Sequence, residues 1–312
     1  MTPAQPYSSE HRDAWNALVR GARVPHFMFE REYMEYHADR FPDASLIVFR
    51  GEQPVAVLPA SRTGDVVTSH GGLTFGGLLT SPRATADKTM EALDAVLAAL
   101  RATGVRQLVY KAPPHVYHDV PAEEDLYALT LAGATLTRRD LSVAVSPRMG
   151  PPPHPTRRRN ARAARAAGLA VDEDDAVEEF MDVVRGNLAE RHAVEPTHST
   201  AELRLLADRF PGRIRLFVVR GAEREIIAGT VIYQTPVVAH AQYIAATEAG
   251  RRQYALDLLF EELVTERFAD VRWFDFGIST TEEGRVLNEG LIRYKQNFGA
   301  RAVVHDHYTL DV

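Results

Sequence analysis

Five prolines fall in the ten-residue stretch Ser146-Pro-Arg-Met-Gly-Pro-Pro-Pro-His-Pro155, near the middle of a 312-residue chain. Proline has no backbone donor and a fixed φ, so neither a helix interior nor a central strand runs through such a stretch. It is expected to be an extended connector at 147–156, dividing the chain into domains 1–146 and 157–312. Each half is long enough for a core of its own.

The halves run through the same order of elements. The first has a helix near 9–20, a strand pair at 46–58 turning at Arg50-Gly51, a helix at 86–103 and a strand at 107–111. Met90, Leu93, Leu97 and Leu100 share one face of the 86–103 helix, and Gly104 is its stop. The second half has helices near 176–191 and 201–210, a strand pair at 216–233 turning at Arg220-Gly221, a strand at 237–245, a helix at 252–268 and a strand at 271–276. The two Arg-Gly turns lie 170 residues apart, and Ala92-Leu-Asp94 lies 163 residues before Ala255-Leu-Asp257. Two separate anchors with nearly one offset indicate a duplicated domain, since solenoid repeats are far shorter. Hairpins combined with a helix crossing to a further strand predict an α/β (α+β) fold, each half a mixed, mostly antiparallel sheet flanked by helices.

Composition excludes some chemistries. The net charge of −6 is spread along the chain, which argues against DNA binding by the whole protein. No cysteine is present, so thiolate catalysis, disulfides and cysteine-ligated zinc are excluded. No apolar run reaches the length of a membrane span and Met1-Thr-Pro-Ala-Gln has no signal-peptide pattern, so a cytoplasmic protein without membrane insertion is expected.

The last quarter carries the most chemistry. Val271-Arg-Trp-Phe-Asp-Phe-Gly277 reads as a buried strand ending in a glycine turn. In Leu287-Asn-Glu-Gly-Leu-Ile-Arg-Tyr-Lys-Gln-Asn-Phe-Gly299, Leu287, Leu291, Tyr294 and Phe298 fall on one helical face with Lys295 beside it. Strand alternation turns Asp275 away from Phe274 and Phe276. Asp, Tyr and Lys presented together suit acyl transfer to an amine; the alternative is a core strand, a covering helix and a solvated lysine.

Asn288 through Gly299 resembles the last helix of the GNAT acyltransferase fold, which an asparagine starts and a glycine ends eleven residues on. Two such domains in tandem, with Phe-Asp-Phe-Gly277 and Tyr294-Lys295 in the second, resemble the Fem family. That family moves amino acids from aminoacyl-tRNA onto peptidoglycan precursors. The chain is also similar to shorter FemAB-like proteins of polysaccharide and natural-product pathways. The resemblance implies two tandem GNAT-like domains and an acyl-CoA or aminoacyl-tRNA donor as co-substrate. It also implies a small-molecule amine acceptor and no tightly bound cofactor. Two features depart from the GNAT pattern. Lys295 stands where GNAT enzymes usually place a tyrosine, matching the aromatic-Lys pair of Fem proteins. Gly250-Arg-Arg-Gln-Tyr-Ala255 stands at the pyrophosphate loop without its two internal glycines.

The resemblance also assigns candidate roles. Lys295 would stabilise the tetrahedral intermediate or protonate the leaving oxygen, with Tyr294 beside it. Asp275 would hold or deprotonate the amine; alternatively, it pairs with an arginine or caps the Gly277 turn. In the strand Val237-Val-Ala-His-Ala-Gln-Tyr-Ile-Ala245, alternation puts His240 and Gln242 on one face and Tyr243 on the other. These three, with His192, His198 and Asn288, are candidate substrate contacts; a satisfied core network is the alternative for the strand residues. The matching GNAT strand bulges and frees an N–H for the acyl carbonyl. Gly250, Arg251 and Arg252 are the candidate donor-phosphate contacts. His192 and His198, separated by a proline, form no metal signature, and Ser199-x-x-Glu202 fits a capping box. The basic run Arg157-Arg-Arg-Asn-Ala-Arg162-Ala-Ala-Arg165 is either a phosphate contact or a charged helix start. The whole reading is an N-acyltransferase acting on a primary amine of a small metabolite or amino-sugar intermediate; the competing class is a binding or scaffold protein on a degenerate GNAT fold.

Overall fold

The computed structural model describes residues 3–191 and 195–312. In chain order the first elements are β1 (Ala4–Pro6), α1 (Arg12–Arg20), α2 (Arg31–Met34), β2 (Leu46–Arg50), β3 (Gln53–Leu58), β4 (Ser61–Thr63), β5 (Val66–Thr68) and β6 (Leu79–Thr80). They are followed by α3 (Ala86–Ala102), β7 (Gln107–Lys111), α4 (Glu124–Leu131) and β8 (Thr135–Val145). Next come α5 (Pro155–Ala166), β9 (Val171–Asp174), α6 (Val177–Arg191), α7 (Thr200–Arg209), β10 (Ile214–Arg220), β11 (Ile226–Gln234) and β12 (Val238–Ala246). The chain closes with α8 (Glu248–Arg252), α9 (Ala255–Glu262), β13 (Trp273–Ile278), α10 (Glu289–Gln296) and β14 (Arg301–Asp311). Among the described residues no helix is long and apolar enough to cross a membrane.

The chain forms two compact units that are not consecutive segments. One holds Met1–Leu141 with Thr281–Val286 and Val304–Val312; the other holds Ser142–Thr280 with Leu287–Val303. The sequence reading of 157–312 as one domain therefore differs from this division over two short segments.

In the first unit, β1, β2, β3 and β6 form an antiparallel sheet. Strand β5 pairs antiparallel with β4 and parallel with β7, and β7 pairs antiparallel with residues 307–311 of β14. A parallel pair needs a crossover, and α3 supplies it. Its Leu93, Leu97 and Leu100 are buried in one core with Val48, Leu58, Val67 and Leu108.

In the second unit the end of β8 is followed by β13, β12, β11, β10 and β9. All these neighbours are antiparallel except β12 and β13, and the chain from α8 to α9 crosses between those two. The expected continuous helix at 252–268 is broken. Tyr254 is left-handed (φ 57°), and after α9 the turns widen to a π-helix at Leu263–Arg267. The capping box at Ser199 and Glu202 is present. The proline stretch is anchored: His154 N–H donates to Asn297 O at 2.7 Å, and a Cβ on Gly299 would fall 2.2 Å from Pro151 O. Gly299 has φ +90°, so both the left-handed stop of α10 and this close approach require glycine.

Candidate active site

Strand β13 has two unlike faces. Phe274 and Phe276 pack with Phe260 of α9, and Phe276 stacks on Phe298 with centroids 5.6 Å apart. Alternation turns Asp275 to the other face, where it is 1% exposed. The parallel register sets His240 of β12 opposite Asp275. Asp275 Oδ2 lies 2.8 Å from His240 Nδ1, and Oδ1 accepts from Ser142 Oγ at 2.7 Å and Gly277 N at 3.0 Å. Asp275 thus both caps the Gly277 turn and holds an imidazole. With Nδ1–H donated to a carboxylate, the neutral ring carries its basic lone pair on Nε2. Among the described residues the parallel register of β12 with β13 runs from Val238 opposite Trp273 to His240 opposite Asp275.

Helix α10 corrects the sequence reading of its faces. Leu287 (43% exposed) and Leu291 (36% exposed) face solvent, whereas Ile292, Lys295 and Phe298 are buried. Of the expected face, Phe298 and the Tyr294 hydroxyl are buried while Leu287 and Leu291 are not, and Lys295 lies on the buried side. Its Nζ donates to Gly277 O at 2.8 Å and Ile278 O at 2.7 Å. Burial pulls the ammonium from its usual 10.5 down to about 8, with Asp275 acting in the opposite direction. The difference is about 3 kcal/mol against the charged form.

Gly277 joins the three side chains. Its N–H binds Asp275, its carbonyl holds Lys295, and a Cβ placed on it would lie 3.4 Å from His240 Cε1. Its φ of +75° favours glycine. Ser279, at the end of the same turn, is buried, and its hydroxyl has no hydrogen-bond partner among the described residues.

The other expected residues are distributed around this cluster or away from it. Strand β12 does bulge: Tyr243 pairs with Val231 and Ala241 with Ile232, so Gln242 is the extra residue and the expected alternation of His240 with Gln242 is interrupted there. Tyr243 Oη lies 2.7 Å from His198 Nδ1 and accepts from His198 N at 3.0 Å, bringing those two together. His192 lies outside the described residues. Asn288 is the N-cap of α10, its Oδ1 accepting from Leu291 N at 3.0 Å. Tyr294 points into a different cluster. Its ring lies 4.8 Å from the Arg157 guanidinium, its buried hydroxyl has no hydrogen-bond partner among the described residues, and burial raises its pKa, Asp257 adding to the effect. Arg157 is paired with Asp257 at 2.7 Å.

At the expected donor loop, Gly250 N–H donates to Thr247 Oγ1 at 3.1 Å, and a Cβ on Gly250 would fall 2.0 Å from Ile227 O. This glycine serves close packing on β11. Arg251 donates to Ala246 O at 2.8 Å, and exposed Arg252 pairs with Glu248. The sequence reading missed Ser142. A serine in Leu-Ser-Val-Ala-Val carries no local signal, because its role depends on β8 pairing with the strand of Asp275, 133 residues later.

Comparison with known proteins fits this geometry. Residues 155–296, the stretch holding His240, Asp275 and Lys295, match the family model of the acetyltransferase (GNAT) domain. No curated protein is matched in sequence. The crystal structure of FemX superposes with a TM-score of 0.70 at 10% identity, covering 99% of this chain and 97% of that one. L-PGS from Bacillus licheniformis gives 0.66 at 12% identity, covering 98% and 93%. The tandem GNAT protein from the clavulanic acid biosynthesis pathway gives 0.52 at 15%, covering 99% and 98%. The chain therefore has a two-domain GNAT-like fold that resembles FemAB-like acyltransferases, with a GNAT acetyltransferase domain match at residues 155–296.

Proposed function

We propose that this chain is an N-acyltransferase that moves an acyl or aminoacyl group onto the primary amine of a small metabolite or amino-sugar intermediate. The observation carrying the proposal is the Asp275–His240 pair joined through Gly277 to buried Lys295. The GNAT match over residues 155–296 supports the reaction class. FemX and the tandem GNAT neighbour support its setting in a two-domain fold.

In this reading the acceptor nitrogen attacks the acyl carbonyl carbon, and an N–C bond forms while the carbonyl π-bond opens to an oxyanion. His240 Nε2 takes one proton from that nitrogen, and Asp275 stabilises the resulting imidazolium. Lys295 has two of its three N–H donors on carbonyls, and the third serves the oxyanion or the departing oxygen or sulfur. One such donor is worth about 3 kcal/mol in the transition state. A lysine at about 8 is mostly protonated at neutral pH yet releases its proton more readily than an exposed one. Collapse of the intermediate breaks the bond to the leaving group, which accepts a proton from Lys295; solvent exchange then restores both side chains.

The donor is an acyl-CoA or an aminoacyl-tRNA, with Arg251 and Arg252 as proposed phosphate contacts. Incubation with labelled acetyl-CoA, and separately with labelled aminoacyl-tRNA, against a panel of primary amines tests the reading. Transfer of label from either donor into an amide is expected. Consumption of neither donor overturns it.

A further inference from the structure

The surface next to Lys295 is aliphatic. Ile278, Leu287 and Leu291, all in the second unit, are 41%, 43% and 36% exposed. The other large apolar side chains exposed among the described residues of that unit, Met149, Leu205 and Tyr254, each come from a different part of the sequence. Single exposed apolar residues are ordinary, whereas a group of them beside a polar site marks a surface for a ligand.

Hydrogen bonds bring the three residues together around the lysine. Lys295 Nζ donates to Ile278 O at 2.7 Å. Leu291 precedes Lys295 by about one helical turn, so the two share a stripe of α10. Helical side chains lean toward the N-terminus, which carries the Lys295 stem back toward Leu291. At the start of the helix Asn288 Oδ1 accepts from Leu291 N at 3.0 Å, and Asn288 N donates to Ser279 O at 2.9 Å. The second bond sets Leu287 beside the segment that follows Ile278. The buried ammonium thus lies at the inner end of an aliphatic surface whose outer end is open to water. Exposed Glu289 and Arg293 give that surface a charged rim on the helix.

We infer that the group transferred at Lys295 is an acyl group with an alkyl chain, carried as a CoA thioester, and that the chain lies on Ile278, Leu291 and Leu287. The inference rests on the acyltransferase reading above, in which the acyl carbonyl oxygen meets the third N–H of Lys295. From that carbonyl the chain passes Leu291 after about 6 Å along α10, a distance an acetyl group does not cover. None of the three side chains offers a hydrogen bond, so a hydroxyl-rich or phosphate-bearing group would lose water there without return. An alkyl chain gains from leaving water on the same surface. In the transfer the carbonyl carbon exchanges its bond to sulfur for a bond to the acceptor nitrogen. The amine proton goes to His240, the departing thiolate takes one from Lys295, and the products are an N-alkanoyl amide and free CoA.

Calorimetric titration of the full chain with acetyl-CoA, hexanoyl-CoA and decanoyl-CoA tests the inference, with amide formation from each measured over the panel of amines. Decanoyl-CoA is expected to bind at least about 10-fold more tightly than acetyl-CoA, with hexanoyl-CoA between them. Leu291→Ser and Ile278→Ser should each reduce that preference roughly 3-fold or more at an unchanged melting midpoint. Leu205→Ser, which alters an exposed leucine of α7, should leave the preference as it is. Equal binding of the three thioesters, binding of none, a preference kept in both Leu291→Ser and Ile278→Ser, or an equal loss in Leu205→Ser overturns the inference. Amide formed from acetyl-CoA or aminoacyl-tRNA with no chain preference overturns it while the acyltransferase reading stands. Absence of amide from every donor overturns both.

Discussion

Lys295 holds its ammonium 2.8 Å from the carbonyl oxygen of Gly277, the residue whose own N–H lies 3.0 Å from Asp275. A buried cation is thereby fixed at the end of the strand that carries the buried carboxylate, with backbone dipoles taking the place of a direct ion pair.

Replacing Lys295 by Met separates chemistry from stability. The substitution removes a burial cost of about 3 kcal/mol. It also leaves Gly277 O and Ile278 O without their donor, at about 1–3 kcal/mol each. These effects offset, so stability should stay within about 2 kcal/mol of wild type while amide formation falls by at least about 100-fold. Chemical denaturation alongside a turnover assay reads both.

The same lysine predicts a pH dependence of folding. Its folded value of about 8 lies below the ordinary 10.5, so between these values the unfolded chain binds more protons and stability rises with pH. Lys111 behaves alike. It is buried, donates to the carbonyls of His70 and Leu73, and is drawn down to about 8. Above about pH 10 the buried phenols Tyr110 and Tyr294, both raised, act in the opposite direction. Denaturation midpoints from pH 8 to 10 should therefore climb in wild type, and Lys295→Met should flatten about half of the climb.

Asp275→Asn should lower kcat/KM by on the order of 10³-fold, because an amide donor facing His240 Nδ1 favours the wrong tautomer. Ser142→Ala should have a smaller effect, about 10-fold, carried by kcat with KM unchanged, since Ser142 reaches the imidazole only through Asp275. An unchanged kcat in Ser142→Ala would make the serine a packing residue.

Gly277→Ala tests the turn itself. At φ +75° an alanine is strained by about 1–2 kcal/mol, and its methyl would contact His240 Cε1. Stability should fall by that amount and activity by considerably more, measured by thermal unfolding and initial rates.

Much of this architecture is legible in the sequence. Helix periodicity located α3, α6 and α7, and the Arg50-Gly51 and Arg220-Gly221 turns located both hairpins. Phe-Asp-Phe alternation placed Asp275 opposite the aromatic cluster. The two eleven-residue strands β8 and β14 were not expected. Thr-Leu-Thr-Arg-Arg-Asp and His-Asp-His-Tyr are polar on both faces and carry no clean period-two signal. The bond between His240 and Asp275 depends on register across a crossover, which local patterns do not encode. Lys295 was placed beside an apolar face because leucines were expected inside; Leu287 and Leu291 in fact flank the exposed start of the helix, where Asn288 caps it.

The central claim is that His240, held by Asp275, takes the proton from the attacking amine. The most direct test is the rate of amide formation by His240→Gln against wild type, with donor and acceptor saturating and the fold verified by circular dichroism. The account predicts at least a 100-fold loss at neutral pH, relieved in part as pH rises and free amine becomes abundant. A His240→Gln variant with the wild-type rate and pH profile would contradict it.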